Sequence, residues 1–85
     1  MRTFYYTIKD ELGIHARPAS ILVNTAKSYT SKVTIHRDSR SADMKSILQV
    51  MSLGIRKGMN VEITVQGSDE LEAAQAIQDV FMKQL

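Results

Sequence analysis

Eighty-five residues, 44% apolar and 24% charged, are enough for one small core and too few for two. Eleven basic against nine acidic residues leave a net charge of +2, without the clustered basic stripe of a nucleic-acid binder. Cysteine is absent, which excludes a disulfide framework, thiolate metal ligation and a thiol nucleophile.

Residues 2–8 alternate, with Phe4, Tyr6 and Ile8 on one side and Thr3, Tyr5 and Thr7 on the other. This is the period of a half-buried strand. The opening segment lacks the apolar core of a signal peptide, and no run approaches the ~18 apolar residues that span a bilayer. The expectation is a soluble cytoplasmic protein with no membrane insertion, built as a single domain over residues 1–85. Residues 16–27 follow helical spacing through Ala19, Leu22, Val23 and Ala26, with Pro18 in the first turn where its missing N–H loses no intrahelical bond. Strand periodicity returns at 32–37, with Val33 and Ile35 inward and Thr34 and His36 outward. Asp38-Ser39-Arg40 then turns into a short strand near 40–44. Ser46 and Gln49 are spaced as a capping box, and Gly54 suits the position after a helix end, so 46–54 is predicted as a short helix. Residues 60–66 form a last strand with Val61, Ile63 and Val65 inward. Residues 69–84 form a last helix, striped by Leu71, Ala74, Ile77 or Gln78, and Phe81, with Asp69 and Glu72 as its capping pair.

The order β-α-β-β-α-β-α, in which each strand has one polar face, predicts an α+β fold. A four-stranded antiparallel sheet carries three helices on its one apolar face.

Gly13-Ile14-His15-Ala16-Arg17-Pro18-Ala19 places a histidine at a helix start, a pinning proline and an arginine two residues on. A helix N-terminus offers unpaired N–H groups and a partial positive charge that attract phosphate. That field disfavours a second positive charge on the ring, and neutral imidazole is a nucleophile. Arg17 could hold a phosphoryl group by a charge-assisted, bidentate bond. From the residues alone, an anion site and an ordinary exposed histidine both stay open. His36 lies on a polar strand face and is expected to be merely solvated. No cofactor or metal is called for, since the sequence holds no ligand cluster.

Gly13-Ile14-His15-Ala16-Arg17-Pro18-Ala19 resembles the active-site signature of HPr, the histidine-containing phosphocarrier family of the bacterial phosphoenolpyruvate:sugar phosphotransferase system. Lys45 through Gly54 resembles the family's second signature, around a regulatory serine, and the likeness spans length and element order. It implies an HPr-like open-faced sandwich and a carrier that is not itself an enzyme. His15 would receive phosphate on Nδ1 from phosphorylated enzyme I, with phosphoenolpyruvate as donor, and pass it to enzyme IIA units for sugar uptake. Arg17 would steady the phosphate.

The resemblance also implies that a serine kinase/phosphorylase modifies Ser46, weakening the encounter with enzyme I and favouring a catabolite repressor. As the helix N-cap, Ser46 contributes about 1 kcal/mol in any case. Ile47, Leu48 and Met51, with Ser20 and Ile21 of the first helix, are expected to leave an apolar docking patch beside the His15 loop, while Val50 and Leu53 enter the core. Relatives often carry Met and Gly where this chain has Leu48 and Gln49, and the bulkier Gln49 bears on the regulatory partners. Arg37, Arg40, Arg56 and Lys57 are expected to be a solvated basic surface. A carrier that visits many partners is expected to be a monomer and to bind no nucleic acid.

Overall fold

A computed structural model describes residues Met1–Leu85. The elements run β1 (Arg2–Thr7), α1 (Ala16–Lys27), β2 (Lys32–Arg37), β3 (Arg40–Asp43), α2 (Ile47–Ser52), β4 (Asn60–Gln66) and α3 (Glu70–Gln84). All seven lie where the periodicity places them, with ends displaced by a residue or two. The four strands form one antiparallel sheet in the order β1-β4-β2-β3. The last strand in the chain is thus inserted between the first two. Its apolar residues meet partners on both sides, with Ile63 opposite Phe4 on β1 and opposite Ile35 on β2.

Period-two alternation sends Val33, Ile35, Val61, Ile63 and Val65 to one face of the sheet, where all are buried. The helices cover that face. Leu22, Val23 and Ala26 of α1 and Ile77 and Phe81 of α3 join the strands in one cluster of 20 buried residues. Phe81 packs edge-on against Phe4, with ring centres 6.0 Å apart, and against Tyr6 at 5.4 Å. Such contacts add to area burial.

Several local predictions are corrected. Leu71 is exposed, and the buried stripe of α3 runs through Ala73, Ile77 and Phe81 instead. Asp69 makes no side-chain cap to α3. Its carboxylate accepts bonds from the Thr30 and Ser31 amides, both 2.9 Å, and from the Ser31 hydroxyl. Tying the end of α1 to the start of α3 is a stronger claim on a carboxylate than capping its own helix. The Gly67 amide bonds the Glu70 carboxylate instead. The box at α2 is only half formed. The Ser46 hydroxyl accepts from the Gln49 amide at 3.4 Å, whereas the Gln49 side chain accepts from the Asp43 amide. The Ser46 amide is already committed to the Asp43 carbonyl. His36 is half-buried, with Nε2 at 3.2 Å from the Thr64 hydroxyl. Arg37 and Arg40 donate to the Leu53 and Ser52 carbonyls, each 3.0 Å. They satisfy the last turn of α2, where orphan carbonyls favour cations, so half of the expected basic surface is structural.

The Asp69 arrangement has a pH signature. Hydrogen bonds from the Ser31 hydroxyl and from the Thr30 and Ser31 amides hold its carboxyl at about 2, below the ordinary 3.8. A depressed folded-state value means that the unfolded chain binds the proton first. The stabilisation is complete above 3.8 and is lost as pH falls through about 2. Asp69→Asn should therefore lower the unfolding midpoint at pH 7. In a series of thermal melts, the gap to wild type should close as the pH is lowered through that window.

Candidate functional site

The first turn of α1 carries the candidate site. His15 is the N-cap, in extended backbone conformation with φ −102° and ψ −175°. Its carbonyl accepts from the Ala19 amide at 3.0 Å, and its side chain makes no capping bond. The Ala16 and Arg17 amides have no intrahelical carbonyl to pair with, and Pro18 has no amide to offer. Two free donors thus point outward beside the imidazole, in the positive field of a 12-residue helix. The His15 side chain is 39% exposed. Arg17 is exposed and engaged in no salt bridge or side-chain hydrogen bond, so its five N–H donors are free.

The loop before His15 is held from below. Gly13 adopts φ +66°, and a Cβ there would strike the Ile55 carbonyl and lie 2.7 Å from the Arg56 Cα. The close approach lets the Ile14 amide reach the Ile55 carbonyl at 3.1 Å, with Ile14 buried. Lys57 Nζ meets Glu11 at 2.6 Å across the same junction. Lys57 is therefore partnered, and of the four expected basic-surface residues only Arg56 has an unpaired side chain.

Two residues escaped the sequence reading. Asp10 places a carboxylate oxygen 3.6 Å from His15 Nε2. The same oxygen accepts from the Leu12 amide at 3.0 Å. Leu12 itself is 71% exposed, a large apolar side chain in a polar loop. That anomaly was visible in the sequence, whereas the Asp10 contact depends on how the Gly13 turn folds back. No group of three or more His, Cys, Asp or Glu side chains could hold a metal ion.

Ser46 starts α2, which packs against α1. Ile47, Leu48 and Met51 are exposed, Leu48 at 81%, while Val50 and Leu53 are buried. Ser20 and Ile21 of α1 are half-buried. The apolar surface foreseen on α2 is thus present. No helix is long and apolar enough to cross a membrane.

The family model described as the PTS HPr component phosphorylation site matches residues 3–83. The chain belongs to the HPr family of phosphocarrier proteins. Among solved structures, the histidine-containing phosphocarrier protein of Mycoplasma is 35% identical, covers 96% of this chain and 93% of its own, and superposes with a TM-score of 0.94. HPr from Thermoanaerobacter tengcongensis is 36% identical over 98% of this chain and 93% of its own, with a TM-score of 0.93. The catabolite repression protein Crh of Bacillus subtilis, described as a domain-swapped dimer, is 31% identical over 94% of this chain and 92% of its own, with a TM-score of 0.78. The open-faced α+β sandwich is that of HPr structures.

Proposed function

We propose that this chain relays a phosphoryl group on His15, from phosphorylated enzyme I charged by phosphoenolpyruvate to enzyme IIA units that serve sugar uptake. The observation that carries the reading is the half-exposed imidazole at the N-cap of α1, beside two free amides and the unpaired Arg17. The lone pair of one ring nitrogen, Nδ1 in the family, attacks phosphorus as the bond to the donor breaks. The transferred group keeps its two negative charges, which the helix end and the guanidinium favour. On the next encounter the N–P bond breaks and the ring is regenerated. Nothing around His15 encloses the reaction, so partner proteins supply most of the transition-state stabilisation. The chain is a substrate and donor rather than an enzyme.

Ser46 is the regulatory position in this reading. Its hydroxyl is half-buried beside exposed Ile47 and Leu48. A phosphate there adds about −1.5 to −2 charges next to the apolar patch, which opposes docking of enzyme I. The likeness to Crh, described as a catabolite repression protein, supports a role in that regulation, and in this reading the further partners are a serine kinase/phosphorylase and a catabolite repressor. Ser20, Ile21, Ile47, Leu48 and Met51 form the docking patch. Leu48→Asp should leave stability within about 0.5 kcal/mol, because the side chain is exposed. It should weaken binding of enzyme I by about ten-fold, the effect of placing a charge in an apolar contact, as read by titration calorimetry.

Incubation with phosphoenolpyruvate and enzyme I tests the relay. One acid-labile, base-stable phosphate per chain is expected, and it should move on to an added enzyme IIA. Labelling confined to Ser46, from a nucleotide donor, would replace the relay by a purely regulatory role.

A further inference from the structure

We infer that Asp10 is a positioning residue for His15, whose carboxylate fixes the imidazole as the Nε2–H tautomer and offsets the charge that the ring acquires on phosphorylation. The inference rests on the reading of His15 as the phosphoryl acceptor.

The loop holds Asp10 from three sides. The Lys9 and Asp10 amides both donate to the Leu85 carbonyl, at 2.6 and 2.9 Å. The Gly13 amide closes the turn on the Asp10 carbonyl at 3.0 Å. The Leu12 amide bonds the same carboxylate oxygen that faces the ring. Backbone and side chain are therefore both set before any partner arrives. At 3.6 Å the approach to Nε2 is too long for a direct hydrogen bond but well inside Coulomb range. A carboxylate there repels a lone pair on Nε2 and attracts an N–H, which leaves the lone pair on Nδ1.

The chemistry follows from that tautomer. Nδ1 donates its electron pair to phosphorus while the donor–phosphorus bond breaks. The proton on Nε2 stays where it is, so the ring becomes positively charged beside the Asp10 carboxylate. No proton needs to leave during the step. When the group moves on, the Nδ1–P bond breaks and the neutral Nε2–H ring returns. The carboxylate's part parallels that of the aspartate in a Ser-His-Asp triad, which holds an imidazole in one tautomer and supports its charge without taking its proton, although there the imidazole is a base and here it is the nucleophile. Here the pair is open to water, with His15 39% and Asp10 34% exposed. Solvent screening therefore keeps the effect to about three-fold.

Asp10→Asn tests this, since the amide oxygen can still accept from Leu12 and only the charge is lost. Nitrogen-15 spectra of the His15 ring, recorded at about pH 8.5 where an ordinary imidazole is neutral, read the tautomer directly. The ratio of Nε2–H to Nδ1–H should fall about three-fold from wild type to Asp10→Asn. The initial rate of phosphotransfer from enzyme I should fall about three-fold with it, and Asp10→Glu should recover part of both. An unchanged ratio or an unchanged rate in Asp10→Asn, with the thermal transition preserved, would overturn the assignment. A wild-type chain that takes no phosphate would overturn the relay instead, and the tautomer ratio would still decide the contact.

Discussion

His15→Ala should abolish incorporation of acid-labile phosphate from phosphorylated enzyme I, with no residual slow phase, while the fold stays intact. The loss is complete because the ring supplies the only lone pair in the first turn able to form the N–P bond. Arg17 has none to give, since a guanidinium remains protonated. The fold survives because the side chain does little structural work. It makes no capping hydrogen bond to α1, and its contact with Asp10 is partly solvated, so the stability cost is about 0.5 kcal/mol or less. Phosphate counting and a thermal melt on the same sample separate the two effects. A variant that lost phosphate only because it had unfolded would point to a structural histidine.

Gly13→Ala should damage the relay without abolishing it, by a different route. The positive φ of +66° alone costs an L-residue about 1–2 kcal/mol. The added Cβ also collides with the Ile55 carbonyl and the Arg56 backbone, which cannot rotate aside as a side chain would. The total is about 2–4 kcal/mol. To relieve the clash the loop must lift, which breaks the bond from the Ile14 amide to Ile55 and moves His15 off the helix axis. A fall of at least ten-fold in phosphotransfer is expected, since misplacement by about 1 Å can cost that much or more. Gly54→Ala is the matched control. Gly54 has a similar φ of +63° but nothing within 4 Å of a Cβ, so only the conformational cost of about 1–2 kcal/mol remains. Equal losses of stability in the two variants, measured by denaturant unfolding, would mean that the Gly13 contact is not what holds the loop.

Most of the fold was legible because it is written in local periodicity. Val33 and Ile35, or Val61, Ile63 and Val65, declare a strand and its buried face without reference to any other part of the chain. The same holds for the α1 stripe and for His15 at its cap, where Pro18 and Gly13 bracket the helix start. What escaped depends on residues distant in sequence. Asp69 serves Thr30 and Ser31 across 39 and 38 positions. Arg37 and Arg40 find the carbonyls of α2 only after the β2–β3 hairpin has folded beside it. The insertion of β4 between β1 and β2 is likewise a matter of pairing partners. At the candidate site, residue type and spacing singled out His15 and Arg17, and the likeness to the HPr signature chose between an anion site and an ordinary exposed histidine. Asp10 was not singled out, because only the turn closed by Gly13 carries it back to the ring. Leu71 misled for a simpler reason: a helix with several evenly spaced apolar residues admits more than one stripe, and packing on the sheet selects the one through Ala73.

Phosphorus–nitrogen NMR on nitrogen-15-labelled protein charged by enzyme I addresses the central claim most directly. The phosphorus resonance should couple to Nδ1 of His15, with Nε2 still carrying its proton. Coupling to a nitrogen of His36, or a phosphate bound only through the Ser46 oxygen, would contradict it.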